Sequence, residues 1–173
     1  MLVYGNLLFN FGFVEQVISG VVSPENLPAS LAEQITYTSG TGPAQVDLIH
    51  ARQYTLAGAP TEIDLTSLLD LAAASIVFAR VRELVGVVVD TNVAHSVTLS
   101  GGASDGFLPV GSGLIVRPAL SGAQVSPVRL SDPWSVGSGI GHVVTPSSKT
   151  LKMDPGSNTV LFNLYLLGCS AVS

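Results

Sequence analysis

Apolar residues come in short runs along this chain, and Gly, Pro, Asn and Asp interrupt them. The interruptions recur roughly every 8–12 positions, the rhythm of an all-β sandwich or barrel. Residues 84–89 read Leu-Val-Gly-Val-Val-Val with nothing polar inside, which predicts a strand buried on both faces. Residues 75–78 predict a second strong strand. Asp90-Thr91-Asn92 is a turn signal, with residues 95–99 as the hairpin partner of 84–89. Residues 46–56 predict a long strand ended by Gly58-Ala59-Pro60, and residues 62–65 a short one. Residues 66–70 predict a turn with a 3₁₀ piece. Residues 150–153 and 159–167 finish the sheet, with Asp154-Pro155-Gly156-Ser157-Asn158 as a hairpin loop between them. Weaker β patterns cover 107–110, 114–116, 124–130 and 141–145. Upstream, 2–9 and 13–22 read as strands and 29–34 as one or two helical turns, with Ser23 as a cap before Pro24. Residues 35–38 predict a strand entering the turn at 39–43.

Apolar spacing at i, i+3, i+4 and i+7 is nowhere sustained without a Gly or a β-branched run inside it. The best helical stretch is 68–74, about two turns long. The pattern therefore predicts an all-β fold, an antiparallel β-sandwich, jelly-roll-like, with little helix. Residues 34–173 form the sandwich domain, and residues 1–33 read as an N-terminal arm or extra strands.

Composition narrows the function. The 173 residues make one domain of 17.8 kDa. Charged residues are 11% of the chain, well under the usual quarter, and hydrophobic residues are 47%. That balance excludes disorder. It also asks where apolar surface is hidden, and a subunit interface, depleted of charge, is the simplest answer. A homo-oligomer is expected, a trimer before a dimer. A net charge of −5 argues against nucleic acid, which would need a basic patch. No run of 18 apolar residues exists, so no membrane-spanning helix and no membrane partner are expected. The first residues lack a basic region, which argues against a signal peptide. A single cysteine, Cys169, leaves no internal disulfide.

The chemical motifs read as structure. Gly102-Ala103-Ser104-Asp105-Gly106 matches G-x-S-x-G, but its flanks are β-type and Phe107-Leu108-Pro109 starts no helix, so a turn is expected. His50, His95 and His142 have no metal-ligand spacing. Asp90-Thr91-Asn92 falls short of the six to eight oxygens that calcium takes, and Gly137-Ser138-Gly139-Ile140-Gly141 lacks the Lys of a P-loop. Asp64 and Asp70 suit capping and turn roles better than paired acid–base work. Arg80 and Arg82 share one strand face, with Glu83 and Asp90 as partners, and this polar face is expected to meet solvent or a neighbouring subunit. No catalytic residue, cofactor or metal is expected. Phe9, Phe11, Phe13 and Trp134 are the candidate interface residues; Trp134 anchors an interface or plugs the end of the sandwich.

Val46-Asp47-Leu48-Ile49 with Arg52, Glu62-Ile63-Asp64-Leu65, Leu68-Leu69-Asp70, the block 76–84 and the closing 160–168 together resemble small structural proteins of tailed bacteriophages. The resemblance covers residues 36–100 and 143–168 and consists of packing patterns. It departs at Leu71-Ala72-Ala73-Ala74-Ser75, where those proteins carry a glycine. It implies a non-enzymatic β-sandwich virion component on the capsid surface, of cement or decoration type, with the major capsid protein as partner. A tail-fibre or receptor- and glycan-binding sandwich is the alternative.

Overall fold

The computed structural model describes residues 38–42, 45–70, 72–89, 92, 94–107, 113–118, 128–131 and 141–172. They contain thirteen strands and no helix. Strands β1 (Thr38–Ser39) and β2 (Gln45–Val46) form a small parallel pair. Then come β3 (Leu48–Ala57), β4 (Thr61–Asp64), β5 (Leu68–Leu69), β6 (Ser75–Ile76), β7 (Arg80–Val88), β8 (Val97–Gly101) and β9 (Leu114–Val116). The last are β10 (Val128–Ser131), β11 (His142–Val143), β12 (Thr150–Asp154) and β13 (Thr159–Cys169).

Two antiparallel sheets pack into a β-sandwich. One has the order β10-β7-β13-β3, with β11 also on the β7 edge; the other has the order β4-β12-β8-β9. Pairing is nested: β3 with β13, β4 with β12, β7 with β10 and β8 with β9. Among these eight strands the first pairs with the last, and so inward to the middle, while β1–β2 and β5–β6 form separate short pairs.

Alternation decides what lies between the sheets. Leu84 and Val88 of β7 and Val160, Phe162, Leu164 and Leu166 of β13 meet Val97, Leu99, Leu151, Met153 and Val116 of the other sheet. Gly86 belongs to this inner layer because a Cβ there would sit 2.8 Å from the Phe162 ring and 3.3 Å from Leu99. The missing side chain gives the Phe162 ring its place.

The strands at 84–89, 62–65, 114–116, 150–153 and 159–167 stand close to their expected positions, and β7 is buried on both faces as its composition predicts. Two hairpins do not form. β8 pairs with β9 and β12 and not with β7. Likewise, β12 and β13 lie in different sheets, so 154–158 crosses the sandwich. Alternation fixes which side chains point into the core but not which sheet a strand joins. The stretch 68–74 is not helical: Leu68–Leu69 pairs with Ser75–Ile76. Asp70 is the reason, because its Oδ1 accepts the N–H groups of Ala72 and Ala74, each at 2.8 Å, and closes a turn. The expected elements at 2–9, 13–22 and 29–34, and the division at residue 33, lie outside the described residues.

Candidate interaction surface

The outer faces of the two sheets differ in chemistry. On the four-stranded sheet the outward row includes Glu62, Lys152 and Ser100, which are register partners, and Lys152 Nζ lies 3.5 Å from Asp154. That is an ordinary solvated face. On the five-stranded sheet the outward rows are Ala51–Tyr165–Val85, Gln53–Asn163–Val87 and Ile49–Leu167–Glu83. In these rows the polar groups are Glu83, the Tyr165 hydroxyl and the Gln53–Asn163 amide bond of 3.0 Å, and the register continues the Val85 and Glu83 rows to Arg129 and Ser131 of β10.

A β-bulge closes one end of this face. Leu167 pairs with Glu83, but Gly168 pairs with Val81, so Arg82 is the extra residue of β7. The bulge leaves Arg80, which is opposite Cys169, on the same side as Arg82 and Glu83. All three charged side chains are buried. Arg80 and Arg82 share a face as their spacing predicts, but it does not meet solvent, which corrects that expectation. Arg82 instead donates from Nη2 to the Gly42 carbonyl at 2.6 Å and from Nε to Cys169 Sγ at 3.4 Å. The Cys169 thiol donates to the Gln45 carbonyl at 3.2 Å. The β1–β2 turn is thus fastened onto the Cys169 end of the face. A guanidinium suits this place because its fork serves several acceptors at once.

A second polar group sits at the β3 edge. His50 is buried and its Nδ1 donates to the Leu69 carbonyl at 2.7 Å. Its Nε2 is then the acceptor for the Tyr54 hydroxyl at 3.0 Å. Burial holds the His50 pKa below its ordinary value, helped by the nearby Arg52 charge and opposed by the Leu69 bond. Burial likewise pushes the Tyr54 hydroxyl up. The Arg52 guanidinium lies 5.6 Å from the centre of the Tyr54 ring. The cluster ties the β5–β6 hairpin to β3. His50 and Tyr54 are four apart on one strand, so even spacing was a signal for their shared face; the bond from His50 to Leu69 had none.

The remaining motif residues have structural places. Asp64 caps its own turn, accepting from the Thr66 N–H at 2.8 Å and from Lys149 Nζ at 2.5 Å. Burial raises the Asp64 carboxyl, but the Lys149 and Thr66 bonds outweigh it and leave the pKa below normal. Asp70 caps the β5–β6 turn, so the capping roles expected of both aspartates are seen. Ser104 is exposed in a turn. The Asp105 carbonyl behind it accepts from the Lys149 and Thr150 N–H groups, and Phe107 returns its N–H to Thr150. Among the described residues this is a loop after β8 pinned to β12 by backbone hydrogen bonds. His95 bonds to Asn92 at 3.1 Å, and His142 sets its ring edge-on to Phe107. Among the described residues no group of His, Cys, Asp and Glu is arranged to hold a metal ion. Phe9, Phe11, Phe13 and Trp134 lie outside the described residues, as do Asp90, Thr91 and 137–140.

No family model, no curated protein and no solved structure matches this chain.

Proposed function

We propose that this chain is a non-enzymatic structural protein of a phage virion, a cement or decoration protein of the capsid surface. It acts as a homo-oligomer, a trimer before a dimer, and its partner is the major capsid protein. The observation that carries the reading is the nested winding of the eight paired strands, β3 to β13, β4 to β12, β7 to β10 and β8 to β9. We read that winding as a jelly roll, an architecture used in viral shells. The low charge content and the exposed Leu69, Val77 and Ile115 suit a protein held by many weak apolar contacts repeated over a lattice. The test is to add the purified full-length protein to heads of the parent phage that lack it, and to sediment them. Saturable binding at a fixed number per capsomer, with heads that survive more heating, is expected. Heads that sediment bare refute the reading.

A second reading, a tail-fibre or glycan-binding module, draws on the same architecture, which lectins also use. Arg52 and Tyr54 at the β3 edge favour it, since an aromatic ring beside hydrogen-bond donors is what a sugar recognises. A glycan array separates the two: selective binding, lost in Tyr54→Ala, favours the module.

A further inference from the structure

We infer that the open edge of β3 is a two-fold contact between copies of this chain, in which β3 pairs antiparallel with β3 of a second copy and Gln53 lies on the axis. The contact is independent of the virion reading. β3 is the last strand of the five-stranded sheet, with β13 on one side and, among the described residues, no strand on the other. The register decides which backbone groups point to the open side. Gly58 donates its N–H to the Asn158 carbonyl at 3.0 Å, and this pair continues the β3–β13 register. Hydrogen-bonded pairs alternate with non-bonded ones along an antiparallel ladder. His50, Arg52, Tyr54 and Leu56 therefore bond β13, while Ile49, Ala51, Gln53, Thr55 and Ala57 turn their N–H and C=O groups outward. The Val89 N–H to the Leu161 carbonyl, 2.8 Å, gives the same alternation from the other side, since odd residues of β13 bond β7.

An open edge of this length is a template for another strand, and proteins that stay apart blunt it. β3 has ten residues with no Pro, Lys or bulge among them. The other sheet edges, β4, β9, β10 and β11, have two to four residues. Arg52, Gln53, Thr55 and Ala57 are exposed along β3. Every copy carries the same edge, and an antiparallel pair of identical strands is self-complementary. The outward groups belong to odd-numbered residues, so odd faces odd across the axis. Two such registers keep nine residues overlapped. One, over 48–56, sets Arg52 against Arg52, and like charges directly opposite destabilise a sheet. The other, over 49–57, sets Gln53 against Gln53 and Arg52 against the partner's Tyr54. That second pair is of the non-bonded kind, in which side chains lie closest. Within one chain the Arg52 guanidinium already lies 5.6 Å from the Tyr54 ring centre, and the same attraction acts twice across the axis. The ladder engages about ten residues a side, where a stable interface uses roughly 20–30. It is therefore weak on dilution and joins particles where copies are crowded, without replacing the contacts of a trimer.

The test forms disulfides by mild oxidation of the full-length protein, with product mass read under denaturing, non-reducing conditions. Cys169 is the one native cysteine and is buried, so the wild type supplies the blank. Gln53→Cys sets two sulfurs on the axis with Cα atoms about 5.5 Å apart, inside disulfide range. A product of two chains is expected, at a yield severalfold above that of Thr55→Cys, whose two copies stand about 13 Å apart along the strands. Mixing Ala51→Cys with Thr55→Cys should restore the linked product, because those positions face each other across the axis. A folded Gln53→Cys protein that gives no two-chain product, or one that links no better than Thr55→Cys, overturns the contact. If Gln53→Cys does not fold, the mixture decides alone: more linked product than either variant gives by itself supports the pairing, and no more than that opposes it.

Discussion

The Arg82 guanidinium reaches across the sheet face to the Gly42 carbonyl, 2.6 Å away, and joins two parts of the chain 40 positions apart. Its Nε donates to Cys169 Sγ at 3.4 Å, so one buried side chain links β7, the end of β13 and the β1–β2 turn. Buried charge is tolerated only when its donors are used, and the loss of such a donor set leaves the acceptors dry and unpaired. Arg82→Ala is expected to lower the unfolding free energy by about 2–4 kcal/mol. Arg82→Lys should recover less than half of that, because one ammonium cannot span both acceptors in the plane of the fork. Urea melts of the three proteins check this. A change in Arg82→Ala within about 0.5 kcal/mol would make the clamp incidental.

His50 gives the fold a dependence on acid. Its folded pKa lies below the unfolded value, first because it is buried and then because of Arg52. The unfolded chain therefore binds a proton more readily. Stability from this residue is complete above the unfolded value of about 6.5 and is lost as the pH falls from there through the lowered folded value. Protonation also turns Nε2 into a donor, so the Tyr54 hydroxyl has to reverse. Melting temperatures measured from pH 8 to pH 5 should fall in the wild type, and the slope should flatten in His50→Asn. An unchanged slope in the variant would assign the acid sensitivity to other groups.

Ala73 occupies a left-handed conformation, φ 61°, at the tip between β5 and β6. An L-residue pays roughly 1–2 kcal/mol for that region, and glycine does not. Ala73→Gly gives back part of the gain through greater freedom of the unfolded chain. A net stabilisation of about 0.5–1 kcal/mol is expected by thermal or urea denaturation. Destabilisation would mean that the Asp70 bonds to Ala72 and Ala74 already hold the turn without strain.

Much of the sandwich is legible in the sequence, because strands with one or two buried faces declare themselves by alternation or by unbroken apolar runs. β7 and β13 are the plainest cases: Leu84 and Val88, and Val160, Phe162, Leu164 and Leu166, fall on one side of their strands. The partners of those strands were not legible. The runs 90–96 and 154–158 look like hairpin connections, yet both cross between sheets, and no local residue distinguishes a crossing from a return. Asp70 shows the same limit at shorter range. Its carboxylate turns an alanine-rich stretch of good helix formers into a tight turn, a local bond overriding propensity. On the candidate surface, the spacing of Arg80 and Arg82 gave their common face, but the bulge that brings Glu83 to the same side depends on the register of β7 against β13. Contacts made over long sequence separations, such as His50 to Leu69 and Arg82 to Gly42, left no trace in the spacing of residues.

The central claim is assembly, and the most direct measurement is the mass of the purified full-length protein by light scattering over a range of concentrations. Three 17.8 kDa chains give a particle of about 53 kDa, stable on dilution, and that is the expected result. A particle of 17.8 kDa at every concentration would contradict it, and with it the virion-shell role that the nested sandwich is proposed to serve.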